Sequence, residues 1–269
     1  SSSLGTITGS AMTDTDGKAT ATFTAGTTAG TATVTAFYGS LSPTDQIVLT
    51  SSTAAAIALE ASETSLQVKE TGGTELSTIT ATVRDALGNL VPAGIQVTFS
   101  VSPDGTFRSG DQDTSVVTNE NGEASVVYQS GSTSGTKTFT VTSGSASASA
   151  PLIIVSSGPP VQIVIGSGAN LSVENLGNGL ARTKIGAFVS DTYSNPVSQG
   201  TEVFFELTGA NADTADITTI VETDEFGVAE AKITYPTEAG GLDITIRVSS
   251  GTVFENKTIT LPIPPSALQ

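Results

Sequence analysis

The sequence has no histidine, no cysteine and no tryptophan in 269 residues. Their absence removes the commonest general base, the thiolate nucleophile, Cys/His zinc sites and the strongest sugar-stacking ring. Most enzyme classes go with them. No disulfide framework is possible, so stability has to come from packed cores. Basic residues are scarce: 10 Lys plus Arg stand against 26 Asp plus Glu, a formal charge of −16. That balance repels nucleic acid and anionic membrane surfaces. Apolar stretches such as Pro151 to Val155 fall far short of the roughly 20 residues that cross a bilayer, and no membrane insertion is expected in this segment. What is present suits folding: 37% of residues are apolar and only 13% charged, unlike a charge-rich disordered tail. Abundant Ser and Thr with few long basic side chains suit exposed strand faces and favour an extracellular setting.

The chain repeats itself. Thr13-Asp14-Thr15-Asp16-Gly17-Lys18-Ala19 recurs as Thr118-Asn119-Glu120-Asn121-Gly122-Glu123-Ala124 and as Thr223-Asp224-Glu225-Phe226-Gly227-Val228-Ala229, with a step of 105 residues each time. Gly30, Gly135 and Gly240 keep that step, as do Phe23, Tyr128 and Ile233, then Val34, Phe139 and Ile244. A second element appears twice, as Asp85-Ala86-Leu87-Gly88-Asn89-Leu90-Val91 and Asp191-Thr192-Tyr193-Ser194-Asn195-Pro196-Val197. A repeat near a hundred residues is one folding unit.

Ile79, Ala81 and Val83 alternate with Thr78, Thr80 and Thr82, the period of two of a strand with one buried face. Runs of this kind are expected near 54–60, 77–84, 95–101, 114–118, 123–129, 136–142 and 146–155. Seven short strands with Gly, Asn, Asp or Pro between most of them specify an all-β fold of tandem immunoglobulin-like antiparallel β-sandwiches. Complete modules are predicted at 53–155 and 161–263, and residues 1–50 read as the C-terminal part of another. The linkers Ser51-Ser52-Thr53 and Ser156-Ser157-Gly158-Pro159-Pro160 are short, and the Pro-Pro pair favours extended geometry. A fairly stiff rod is the expectation.

Asp85-x-x-Gly88-Asn89-x-Val91-Pro92-x-Gly94-x-x-Val97-x-Phe99, followed by Thr118-x-x-x-Gly122-x-Ala124 and by Ser134-Gly135-Thr136, resembles the bacterial Ig-like domain group 1, the module of invasin and intimin stalks. The third module departs at Ser194, where the second has Gly88. The resemblance implies a non-enzymatic spacer on a bacterial surface, with the chain as stalk and no adhesive tip.

Candidate sites weigh against this background. Asp14-Thr15-Asp16-Gly17 begins as many calcium loops do, making Asp14 and Asp16 candidate ligands. The later ligands of such a loop are missing, and a type I′ hairpin turn at Asp16-Gly17 explains the motif as well. Asp85/Asn89 and Asp191/Asn195 suggest either a cation between modules or Asx side chains capping their own loops. The acid pairs Asp111/Asp113 and Asp213/Asp216 lack an aromatic cleft and read as solvated loops. A carbohydrate-binding module would need an exposed aromatic platform, and Tyr128 belongs to the core by its alignment. Asn170-Leu171-Ser172 and Asn256-Lys257-Thr258 match the glycosylation acceptor pattern. Phe23, Val34, Ala36, Ile47 and Leu49 in the half-module would expose a core face at a cost of about 5 to 10 kcal/mol. Either upstream sequence or a protein partner or neighbouring subunit should cover it. The second case would make the chain a homo-polymer, a filament built by completing the partial module.

Overall fold

The protein is described by a computed structural model covering residues 2–166 and 172–264. Asn170 and Leu171 of one glycosylation acceptor lie outside the described residues; Asn256 to Thr258 sit in the strand Val253–Thr260. The fold is all-β, tandem Ig-like sandwiches built of multiple antiparallel pairings, with one short parallel edge among the described residues. Helix is limited, among the described residues, to the 3-10 turns Ala212–Thr214 and Thr237–Ala239. Backbone contacts divide the chain into two compact units, one of 1–64, 76–129 and 136–153, the other of 65–75, 130–135 and 154–269.

In the first unit, Leu76–Asp85 pairs with Ala54–Ala61 on one side and Glu123–Gln129 on the other, and Thr106–Phe107 extends the sheet. The facing sheet is centred on Gln96–Ser102, flanked by Asp113–Val117 and Gly135–Ser143. Alternation does the sorting: Ile79, Ala81 and Val83 are fully buried while the threonines between them are not. Phe99, Phe107, Tyr128 and Phe139 meet in the core, with Tyr128 edge-on to Phe139 at 5.0 Å between centroids. Edge-to-face contact suits the ring quadrupoles and adds to the apolar burial. The Tyr128 hydroxyl donates to the Asp104 carbonyl at 3.0 Å, so a buried O–H is satisfied. Lys137 breaks the pattern, being fully buried with no hydrogen-bond partner for its ammonium nitrogen, on which the charge of Asp104 acts.

Residues 2–50 form two ribbons, Gly5–Ile7 with Phe23–Ala25 and Gly30–Thr35 with Thr44–Leu49, joined by a bridge between Ser2 and Val34. Ala32 is buried here, whereas Phe23, Val34 and Leu49 are only partly covered and Ala36 and Ile47 are exposed. Met12, Phe37, Tyr38, Leu41 and Val48 are also exposed.

In the second unit, Leu180–Ser190 is the central strand of one sheet, bordered by Gln162–Ile165 and Val173–Gly177 on one edge and Val228–Pro236 on the other. The facing sheet runs Ile220–Glu222, Glu202–Thr208, Asp243–Ser250, Val253–Thr260. Ile185, Ile233, Val203, Phe205 and Ile246 fill the core between them. The short strand Ser65–Gln67 runs parallel to the end of Ala146–Ser156.

One alignment read from the sequence shifts. Phe139 lies opposite Val101, and the residue opposite the equivalent Leu207 is Ile246, not Ile244. The turn Thr237–Ala239 and the Gly240-Gly241 pair after it take up the two extra residues. Both Ile244 and Ile246 are buried, which is why the pattern hid the slip.

Candidate functional site: paired Asp–Asn clamps

The triplicated motif forms the same turn each time. Asp14, Asn119 and Asp224 each bond their backbone N–H to the carbonyl four residues on, and Gly17, Gly122 and Gly227 bond back to them. The Asp14 Oδ1 accepts the amides of Asp16 and Lys18, both at 2.9 Å; Asn119 and Asp224 do likewise. Only the glycine has positive φ, 75°, 67° and 73° in turn. A type I′ turn needs two such residues, so the loop is instead a three-residue turn closed by a left-handed glycine. Asp14 and Asp16 are both exposed, and one Asp14 oxygen is committed to its own backbone. Among the described residues no group of three or more acidic side chains is gathered to hold a metal ion.

Glycine is required at 122 and 227 for space as well as φ. A Cβ at Gly122 would sit 3.0 Å from the Val83 carbonyl, and at Gly227 2.8 Å from the Val189 carbonyl and 2.9 Å from Pro196. The turn thus packs directly against the loop carrying the second motif. The two motifs are one structure.

That loop follows the strand Leu76–Asp85. The Asp85 Oδ1 accepts the amides of Leu87 and Asn89, both at 2.9 Å, which fixes the loop from within. Its Oδ2 accepts the Ser52 amide of the linker at 3.0 Å and the Asn89 side-chain amide at 3.1 Å. Asn89, held in this way, reaches out. Its Nδ2 donates to the Thr27 carbonyl at 2.9 Å, and its Oδ1 accepts the Ala29 amide at 3.0 Å. The Ser52 N–H above all, then the Asn89 side chain, hold the Asp85 carboxyl at about 2, below its usual 3.8.

The second copy repeats every bond. Asp191 Oδ1 accepts the amides of Tyr193 and Asn195, and Oδ2 accepts the Gly158 amide of the linker, all at 2.9 Å. Asn195 donates to the Ser132 carbonyl at 2.8 Å and accepts from the Ser134 amide at 3.0 Å. Asp191 and Asn195 are buried. Ser194 takes the place of Gly88 at φ 65° against 85°, so the departure from the motif leaves the loop unchanged. Tyr193 adds a bond from its hydroxyl to Glu70 at 3.3 Å. Burial and the Glu70 carboxylate push its pKa up, which keeps it a donor.

The clamping residues are legible in the sequence, and what they grip is not. Thr27, Ala29, Ser132 and Ser134 are recognised through their backbone, so their side chains carry no signal beyond the glycine that follows each loop. The acid pairs do not converge on a cleft: Asp111, Asp113, Asp213 and Asp216 are exposed, and Asp113 accepts from the Ser100 hydroxyl. Tyr235 is buried, its hydroxyl donating to the Pro262 carbonyl at 2.7 Å, while Tyr38 is exposed.

No family model matches the chain. In sequence it is similar to the inverse autotransporter adhesin YeeJ of Escherichia coli K12, at 29% identity over 255 residues. That alignment covers 93% of this chain and 10% of YeeJ. That relative is a bacterial adhesin. In fold, the chain is similar to FdeC, an Escherichia coli adhesin, with a TM-score of 0.54 and 16% identity over 97% of this chain and 86% of that one. Invasin, a bacterial integrin-binding protein, aligns more loosely, with a TM-score of 0.49 and 22% identity over 97% of this chain and 52% of that one.

Proposed function

We propose that this chain is a stretch of the stalk of a bacterial cell-surface adhesin, a spacer without catalytic function. Its modules are 53–155, 161–263 and the later part of another within 1–50. The observation that carries the reading is the duplicated clamp: Asn89 and Asn195 grip a preceding loop through identical bonds, while their Asp partners grip the linker. A flexible tether needs no such device. Bonds to backbone made by an amide that is itself fixed by a carboxylate lose little further entropy on forming, which favours a joint that bends little. The similarity to YeeJ supports the surface setting, and the lack of His and Cys agrees with a mechanical role.

The test is small-angle scattering of the 1–269 chain beside a variant carrying Asn89→Ala and Asn195→Ala. A stiff stalk predicts one narrow distribution of dimensions that broadens in the variant with the strand content unchanged. A broad distribution already present in the unmodified chain would refute it.

A further inference from the structure

The outer face of the sheet containing Glu202–Thr208 differs in kind from its counterpart in the preceding sandwich. Register sets Ile220 opposite Phe204, Phe204 opposite Ser249 and Ser249 opposite Phe254. Three large apolar side chains therefore stand in one row across four strands. Alternation turns Val203 and Phe205 into the core and leaves Phe204 outside. Exposure is 53% for Ile220, 42% for Phe204 and 56% for Phe254. In the preceding sandwich the places of Phe204 and Ile220 are held by Thr98 and Ser115, which stand opposite each other and share a hydrogen bond of 2.8 Å. The same architecture is thus built with hydroxyls at that place, so the apolar row is not a general demand of the sandwich.

One border of the row is acidic: Glu202 lies directly opposite Glu222, a like-charge cross-strand pair that weakens a sheet on its own. On the other border Glu206, two residues after Phe204 on the same face, stands opposite Arg247. Arg247 is held over the Phe254 ring at 4.3 Å from its centroid, so that cation enlarges the flat surface.

We propose that this face docks a protein segment that presents apolar side chains interleaved with Lys or Arg. An extended basic segment would lay its apolar groups on Phe204, Ile220 and Phe254 and relieve the repulsion between Glu202 and Glu222. Charge complementarity selects this occupant over an acidic or neutral one. The site is additional to the spacer role and independent of it.

The experiment uses the 1–269 chain and three labelled octapeptides: alternating Lys/Leu, alternating Glu/Leu, and Lys/Ser with the charge of the first. Binding is read by fluorescence anisotropy and amide shift mapping. The Lys/Leu peptide should bind, with shifts centred on Phe204, Ile220 and Phe254. Affinity should fall about tenfold or more in Phe204→Thr with Ile220→Ser, which installs the side chains of the preceding sandwich and keeps the strands. Glu202→Gln with Glu222→Gln should weaken it several-fold and flatten its salt dependence. Equal binding of the Lys/Ser peptide, or no loss in the Phe204→Thr variant, would reduce the effect to net charge and overturn the proposal. So would preference for the Glu/Leu peptide, or an oligosaccharide panel that shifts the same residues while the Lys/Leu peptide does not.

Discussion

Replacing Asn195 with alanine isolates the clamp from the cores. The side chain makes two bonds to the loop before it, to the Ser132 carbonyl at 2.8 Å and from the Ser134 amide at 3.0 Å. Each is worth about 0.5 to 1.5 kcal/mol net, so the variant should lose about 1 to 3 kcal/mol of attachment at that loop. No core side chain is touched, and Val203 and Ile246 keep their packing. The readout is amide hydrogen exchange at Ser134. At 1.4 kcal/mol per tenfold, protection there should drop about 5- to 150-fold, while amides at Phe139 and Val203 hold their rates. Unchanged exchange at Ser134 would mean that Asn195 does not hold the loop, and the account of the joint would fail with it.

Four further outcomes follow from the same geometry. The Asp85 carboxyl is held at about 2 against an ordinary 3.8, and a depressed acid contributes its stabilisation above the ordinary value and loses it as pH falls through the folded one. Protection of the Ser52 amide should therefore persist above about pH 4 and disappear towards pH 2, with Asp85→Asn abolishing that dependence. Ser194→Gly should stabilise the chain by about 0.5 to 1 kcal/mol in urea unfolding, because Ser194 sits at φ 65° where glycine carries no strain. Gly227→Ala should cost about 2 to 4 kcal/mol by the same assay, since the new Cβ would meet the Val189 carbonyl and Pro196. Lys137→Met should raise the melting temperature, a gain of about 1 to 2 kcal/mol, because it removes a buried ammonium with no hydrogen-bond partner whose desolvation only the Asp104 charge offsets; a loss of that size would mean that the attraction to Asp104 outweighs the cost of burial.

Much of the fold was legible because strand alternation is local. The runs expected at 77–84, 123–129 and 136–142 are the strands Leu76–Asp85, Glu123–Gln129 and Gly135–Ser143. Ser65–Gln67 and Thr106–Phe107 leave no mark in the sequence, since two or three residues are too few to display a period. The turn at Gly17, Gly122 and Gly227 is legible there, but its type is not. Asp-Gly and Asn-Gly fit a type I′ turn locally, and the Asx side chain's bonds to the amides two and four residues on select the three-residue form.

The repeat, the strand period and the positions of the turn glycines are legible in the sequence, because each is carried by side-chain pattern. What Asn89 and Asn195 hold emerges with the folded chain, since a backbone carbonyl and amide offered by a distant loop look the same whatever residue bears them. It alone also brought Ile220, Phe204 and Phe254 into one row. Strand register sets such neighbours, and register across non-adjacent segments is written in no single stretch of the chain.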